Sequence, residues 1–122
     1  MLKLLIAVRS GLLADLLTKS LSSRFVVHSC NRSTDTQRLI ETMRPDVLVI
    51  DLRLDERDGL SVLRNCSYRP PAILALTDLI NQEIMQCAAT AKIGALVLIP
   101  CSARYVVDTI ERIVEKVPSS KT

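Results

Sequence analysis

Asp51 is the residue best placed for chemistry. It ends the β-branched apolar run Val47-Leu48-Val49-Ile50, which follows Arg44-Pro45-Asp46. A proline disfavours helix in the residue before it, and the run that follows suits a strand buried on both faces of a parallel sheet. A carboxylate at the C-terminal end of such a strand lies where open α/β sheets build their sites. Arg53, Asp55, Glu56 and Arg57 come next, then Asp58-Gly59, a turn pair that can start a helix. The plainer reading is that Asp51 only ends a strand or caps a helix.

Other chemistries have less support. The four cysteines, Cys30, Cys66, Cys87 and Cys101, form no CxxC pair, and the single histidine is His28. A zinc site would need ligands from four separate segments. His28 has no partner near it in sequence and reads as a surface or edge residue. No secretory signal precedes the cysteines and no apolar run is long enough to span a membrane, so free thiols and a cytoplasmic setting without membrane contact are expected. Aromatic residues make up 2% of the chain, which argues against a stacking platform for single-stranded nucleic acid. The net charge of +3 is spread along the sequence, as on an ordinary solvated surface.

The elements that must position Asp51 can be read in order. The chain has 122 residues, of which 48% are apolar, enough for one folded domain over 1–117. Residues 118–122 read as a tail or the start of a linker. Apolar runs at Leu2 to Val8, Phe25 to Val27, Val47 to Ile50, Ala72 to Leu76 and Ala95 to Ile99 predict five strands. Between and after them lie five helical stripes. The first contains Leu12, Leu13, Leu16, Leu17 and Leu21; the second, closed by Pro45, contains Leu39, Ile40 and Met43; the third contains Leu60, Val62 and Leu63. The fourth has Ile80, Ile84, Met85, Ala88 and Ala91 on its apolar side, and Thr77 or Asp78 could cap it. In the fifth, capped by Ser102, Tyr105, Val106, Ile110, Ile113 and Val117 are expected to face inward.

Strands alternating with helices predict a doubly wound, flavodoxin-like (βα)5 parallel sheet. Right-handed crossovers favour the strand order 2-1-3-4-5. In that order Arg9, Asp51, Thr77 and Ile99 sit at one edge.

With this arrangement the chain resembles the receiver domain of two-component response regulators, of the chemotaxis-receiver type. The resemblance covers about residues 2 to 117. It rests on Arg44-Pro45-Asp46 leading into Val47 to Asp51, on Asp58-Gly59, on Ala75-Leu76-Thr77 and on Pro100 before the fifth helix. It implies that Asp51 stands at the phosphoacceptor position and that Thr77 stands where a hydroxyl bonds a phosphoryl oxygen. It also implies two acids after the first strand and a lysine before the strand-five proline. Here those positions hold Val8, Arg9 and Ile99. Asp78 replaces a small residue, Asp55 a proline and Leu96 an aromatic one.

Mg²⁺ is a hard cation that wants oxygen ligands, and neither Val8 nor Arg9 supplies one. Phosphoryl transfer depends on positioning and on neutralising charge, and only Arg9, Arg53 or Arg57 could do that. The expectation is a degenerate receiver with no metal, no cofactor and no enzymatic activity. It would work by docking to a protein partner or to a second copy through the fourth helix, fifth strand and fifth helix. Contact with DNA would come only through an output domain beyond Thr122. The alternative is an active phosphoacceptor in a phosphorelay, and a third reading is direct nucleic-acid binding. A further expectation is geometric: the Arg9 guanidinium reaches across and pairs with Asp51.

Overall fold

Continuous apolar runs build the centre of this molecule. The computed structural model describes residues 1–54, 58–115 and 117. The elements are β1 (Leu2–Ala7), α1 (Gly11–Leu21), β2 (Phe25–Cys30), α2 (Ser33–Met43), β3 (Val47–Asp51), α3 (Gly59–Asn65), β4 (Ala72–Thr77), α4 (Gln82–Thr90), β5 (Ala95–Leu98) and α5 (Ala103–Val114). The strands form one parallel sheet in the order β2-β1-β3-β4-β5, as expected. Both faces are covered. Leu4, Ile6, Val49, Leu74 and Leu76 pack with Leu17 of α1 and Val106 and Ile110 of α5. Leu5, Leu48, Ile50, Ile73 and Ala75 pack with Ile40 of α2 and Val62 and Leu63 of α3. Every residue of β3 and β4 is buried, the mark of strands that face helices on both sides.

Where the structure departs from the sequence expectations, local causes are visible. His28-Ser29-Cys30, which could continue β2 or leave it, continues it, because β2 pairs with β1 all the way to Ala7. Leu12 is 72% exposed and Leu16 is exposed too, so the apolar stripe of α1 is wider than the face it buries. Met85 and Tyr105, both expected inside, are exposed as well. α4 buries only Ala88, with Ile84 partly covered. Tyr105 precedes the buried pair Val106-Val107 and so points away from the sheet. Asp58 and Ser102 cap α3 and α5 as expected, but α4 is capped by Asn81, whose Oδ1 accepts the Ile84 N–H at 2.8 Å. Thr77 and Asp78 lie too far upstream to cap it.

The edge of the sheet opposite Asp51 is tied by two carboxylates. Asp46, buried, accepts the Lys3 N–H at 2.8 Å and donates its own N–H to the Lys3 carbonyl at 2.9 Å, fixing β1 against the start of β3. Glu41 accepts the N–H and hydroxyl of Ser67, each at 2.8 Å, and the Tyr68 N–H at 3.0 Å. These bonds hold its carboxyl below the usual range. Tyr68 in turn donates to the Pro45 carbonyl at 2.8 Å, and its ring lies 5.1 Å from the Arg44 guanidinium. The α3–β4 connection is thus held on α2 before β4 begins.

The four thiols are free and lie in separate places. His28 is exposed on the edge strand β2. Among the described residues, no helix is long and apolar enough to cross a membrane.

Candidate functional site

Parallel register brings the site together. Ile50 lies opposite Ala7, Asp51 opposite Leu76 and Thr77 opposite Leu98, so β1, β3, β4 and β5 end along one edge. The ladder continues past the strands: Leu52 donates to the Leu76 carbonyl and Ile99 to the Thr77 carbonyl, each at 2.8 Å. Asp51 and Thr77 therefore share the edge.

Asp51 is only 5% exposed. Its Oδ1 accepts the Arg53 N–H at 2.9 Å and its Oδ2 accepts the Arg9 N–H at 3.4 Å. Both donors are main-chain groups. A buried carboxylate must find such partners, because leaving it unsatisfied is costly. Here it ties the start of the β3–α3 connection to the end of the β1 segment.

This corrects the expected arginine fork. Among the described residues no ion pair joins Arg9 to Asp51, and the Arg9 side chain is exposed. Val8 explains it. Its side chain is 1% exposed and belongs to the core beside α1 and α5. With Val8 turned inward, the next side chain is carried outward as the chain enters the Ser10 cap of α1. What reaches Asp51 is the amide that any residue at position 9 except proline would have.

Arg53 makes the cross-site ion pair instead. Its Nη1 lies 3.0 Å from Asp78 Oδ2, linking the loops after β3 and β4. Both side chains are substantially exposed, so the pair is worth at most about 1 kcal/mol. Its effect on charge is direct: the Arg53 guanidinium is already matched by a carboxylate.

Thr77 is 4% exposed and its hydroxyl is engaged within its own loop. Oγ1 donates to the Leu79 carbonyl at 3.0 Å and accepts the Leu79 N–H at 3.2 Å. Ile99 is partly buried against the α1–α5 side of the core; it joins Pro100, which is exposed, through a cis peptide bond. Beside them Leu12, Leu16, Pro100 and Ala103 line a shallow apolar groove of about 300 Å³.

Asp55 and Arg57 lie outside the described residues, as do residues 118–122. The cysteines do not join the site. Burial pushes the thiols of Cys30 and Cys101 up, which leaves less of the nucleophilic thiolate. Among the described residues the donor set does not suit Mg²⁺. Asp51 brings one carboxylate that already accepts two N–H groups, Val8 is apolar, and Asp78 faces Arg53. Among the described residues no group of three acids, histidines or cysteines could hold a metal.

Sequence reasoning missed the close approach of Gly59 to this site. A Cβ on Gly59 would stand 2.7 Å from the Asp51 carbonyl oxygen. The pair Asp58-Gly59 signalled a turn, but nothing in it indicated which backbone the glycine would meet.

Comparison with solved structures identifies the fold. The receiver domain of a putative Luxo repressor protein from Vibrio parahaemolyticus superposes with a TM-score of 0.83 at 17% identity, covering 94% of this chain and 91% of that one. A CheY-like response regulator receiver domain protein from Methanospirillum hungatei gives 0.84 at 18% identity, covering 95% and 96%. A DNA-binding response regulator of the LuxR family from Staphylococcus aureus gives 0.78 at 22% identity, covering 93% and 98%. The chain has the fold of response regulator receiver domains. No family model matches it, and no match is found among curated proteins.

Proposed function

We propose that this chain is a receiver-like signalling module that acts by protein–protein contact and does not depend on phosphorylation of Asp51. The observation that carries this reading is the state of Asp51: buried, with its two oxygens engaged by the N–H groups of Arg53 and Arg9. An acceptor carboxylate needs to be reachable by the phosphoryl donor and needs cations to neutralise the incoming phosphoryl charge. Val8 and Ile99 supply neither acid nor lysine, Arg53 is matched by Asp78, and the Thr77 hydroxyl serves Leu79. The reading includes no Mg²⁺, no other cofactor and no enzymatic turnover. It places the chain in the cytoplasm, where free thiols persist.

The test uses acetyl phosphate with Mg²⁺ and intact-mass measurement. The native chain is expected to gain no phosphoryl mass. A variant carrying Val8→Asp, Arg9→Asp and Ile99→Lys is the positive arm. Phosphorylation of the native chain at Asp51 would overturn the reading in favour of an active phosphoacceptor in a phosphorelay.

Docking falls to the side formed by α4, β5 and α5. Ile80, Met85, Leu98 and Tyr105 leave large apolar area exposed there, with Leu79 beside them. The reading assigns this side to a second copy or to a protein partner. Any DNA contact would belong to an output domain attached beyond Thr122, as the Staphylococcus aureus relative's description as a DNA-binding regulator suggests. Leu98→Asp combined with Tyr105→Asp is expected to abolish concentration-dependent self-association in sedimentation while leaving the fold intact. An unchanged sedimentation profile in a chain that does self-associate would move the contact elsewhere.

A further inference from the structure

A cleft lies away from Asp51, between α3 and α4. It has a volume of about 470 Å³. Leu60 and Leu63 of α3 and Cys87 and Ala91 of the α4 segment give it an apolar floor, while Arg64 and Arg69 stand on its rim. The other lining residues, Gln86 and Thr90, are neutral. The cleft therefore has two cations and no acid; the nearest carboxylate along α4 is Glu83, one turn towards the helix start. Among the described residues neither arginine has an acidic partner. Arg64 donates to the Ser61 hydroxyl at 3.1 Å, and Arg69 donates to the Ala91 carbonyl.

The bond from Arg69 has an ordinary purpose, since it satisfies a carbonyl at the C-terminal end of α4. It also has an electrostatic consequence. A helix C-terminus repels anions, and a guanidinium on the last carbonyl offsets that repulsion where the cleft opens. Arg64 has no comparable duty, because its partner is a neutral hydroxyl on its own helix. Size and lining both fit a small ligand: such sites are mostly apolar with a few placed polar groups, and a guanidinium pairs best with a planar oxyanion.

From this charge imbalance over an apolar floor, we infer that the α3–α4 cleft binds a small carboxylate with an apolar body. The apolar part lies on Leu60, Leu63 and Ala91, and the carboxylate meets Arg64 with Arg69 beside it. The inference is independent of the state of Asp51.

The probe is decanoate below its micelle concentration, titrated into the ¹⁵N-labelled native chain. Amide shifts are expected to concentrate in residues 60–69 and 86–91. Arg64→Gln should weaken decanoate about fivefold, the size of a partly exposed charge-assisted bond. Arg64→Lys should recover most of the loss. Decanol, with the same body and no charge, and acetate, with the charge and no body, should each bind more weakly than decanoate. Shifts centred on Leu12 and Leu16 or on Leu98 and Tyr105 would overturn the inference. So would equal binding of decanol and decanoate, or an Arg64→Gln variant that binds as the native chain does. Arg64 is exposed on a surface helix, so its replacement leaves the fold standing and the comparison interpretable.

Discussion

Gly59→Ala is expected to destabilise the fold by about 2 kcal/mol net, combining roughly 3 kcal/mol of overpacking with up to about 1 kcal/mol recovered from helix propensity. The added Cβ would lie 2.7 Å from the Asp51 carbonyl oxygen and 3.2 Å from both Ile50 Cγ1 and Leu52 Cα. The nearest contact is backbone in a fully buried strand, so no side-chain rotation relieves it. Gly59 also donates its N–H to the Leu52 carbonyl at 3.0 Å, which fixes its distance from β3. Either α3 moves as a unit or the end of β3 does. Urea unfolding measures the loss, with an unchanged slope showing that the unfolded state is the same. Native or higher stability would mean that α3 moves away from Asp51 at little cost, and that the glycine is there only for its turn.

Asp51→Ala is the second large effect, about 2 kcal/mol of destabilisation, because it leaves two partly buried N–H groups without their acceptor. The Arg53 N–H, bonded at 2.9 Å, carries more of this than the Arg9 N–H at 3.4 Å. Asp51→Asn keeps the volume and one good acceptor, so it should recover about half. The sign separates two views of this residue. A carboxylate kept for reactivity is commonly a strained or uncompensated group, and removing it tends to raise stability. A carboxylate that joins two chain segments lowers stability when removed. Thermal or urea unfolding of the two variants beside the native chain decides between them. A more stable Asp51→Ala protein would count against the structural role given to Asp51 and restore the case for a phosphoacceptor.

The elements were legible in the sequence because each had to bury a face. Runs such as Val47 to Ile50 and Ala72 to Leu76 are apolar at every position, and that occurs when helices cover both sides of a strand. Asp58 and Ser102 announced helix starts because their short acceptors suit free N–H groups. Strand order followed from connectivity and handedness. The residue types at positions 8, 9 and 99 were equally plain.

Tertiary structure alone decided how Asp51 is held. Its partners are main-chain amides, which every residue but proline possesses and which sequence therefore cannot single out. The expected guanidinium contact gave way because Val8 is buried, a preference that depends on the α1 and α5 side chains packed around it. The exposure of Leu12, Met85 and Tyr105 has a related cause. Helical spacing records which side chains share a direction, but the width of the covered stripe is set by the neighbouring element. The close packing of Gly59 on the Asp51 carbonyl, where an added Cβ would stand at 2.7 Å, and the Arg53–Asp78 pair were hidden for the same reason. Each joins residues from separate segments, at distances that only the packed sheet and its helices define.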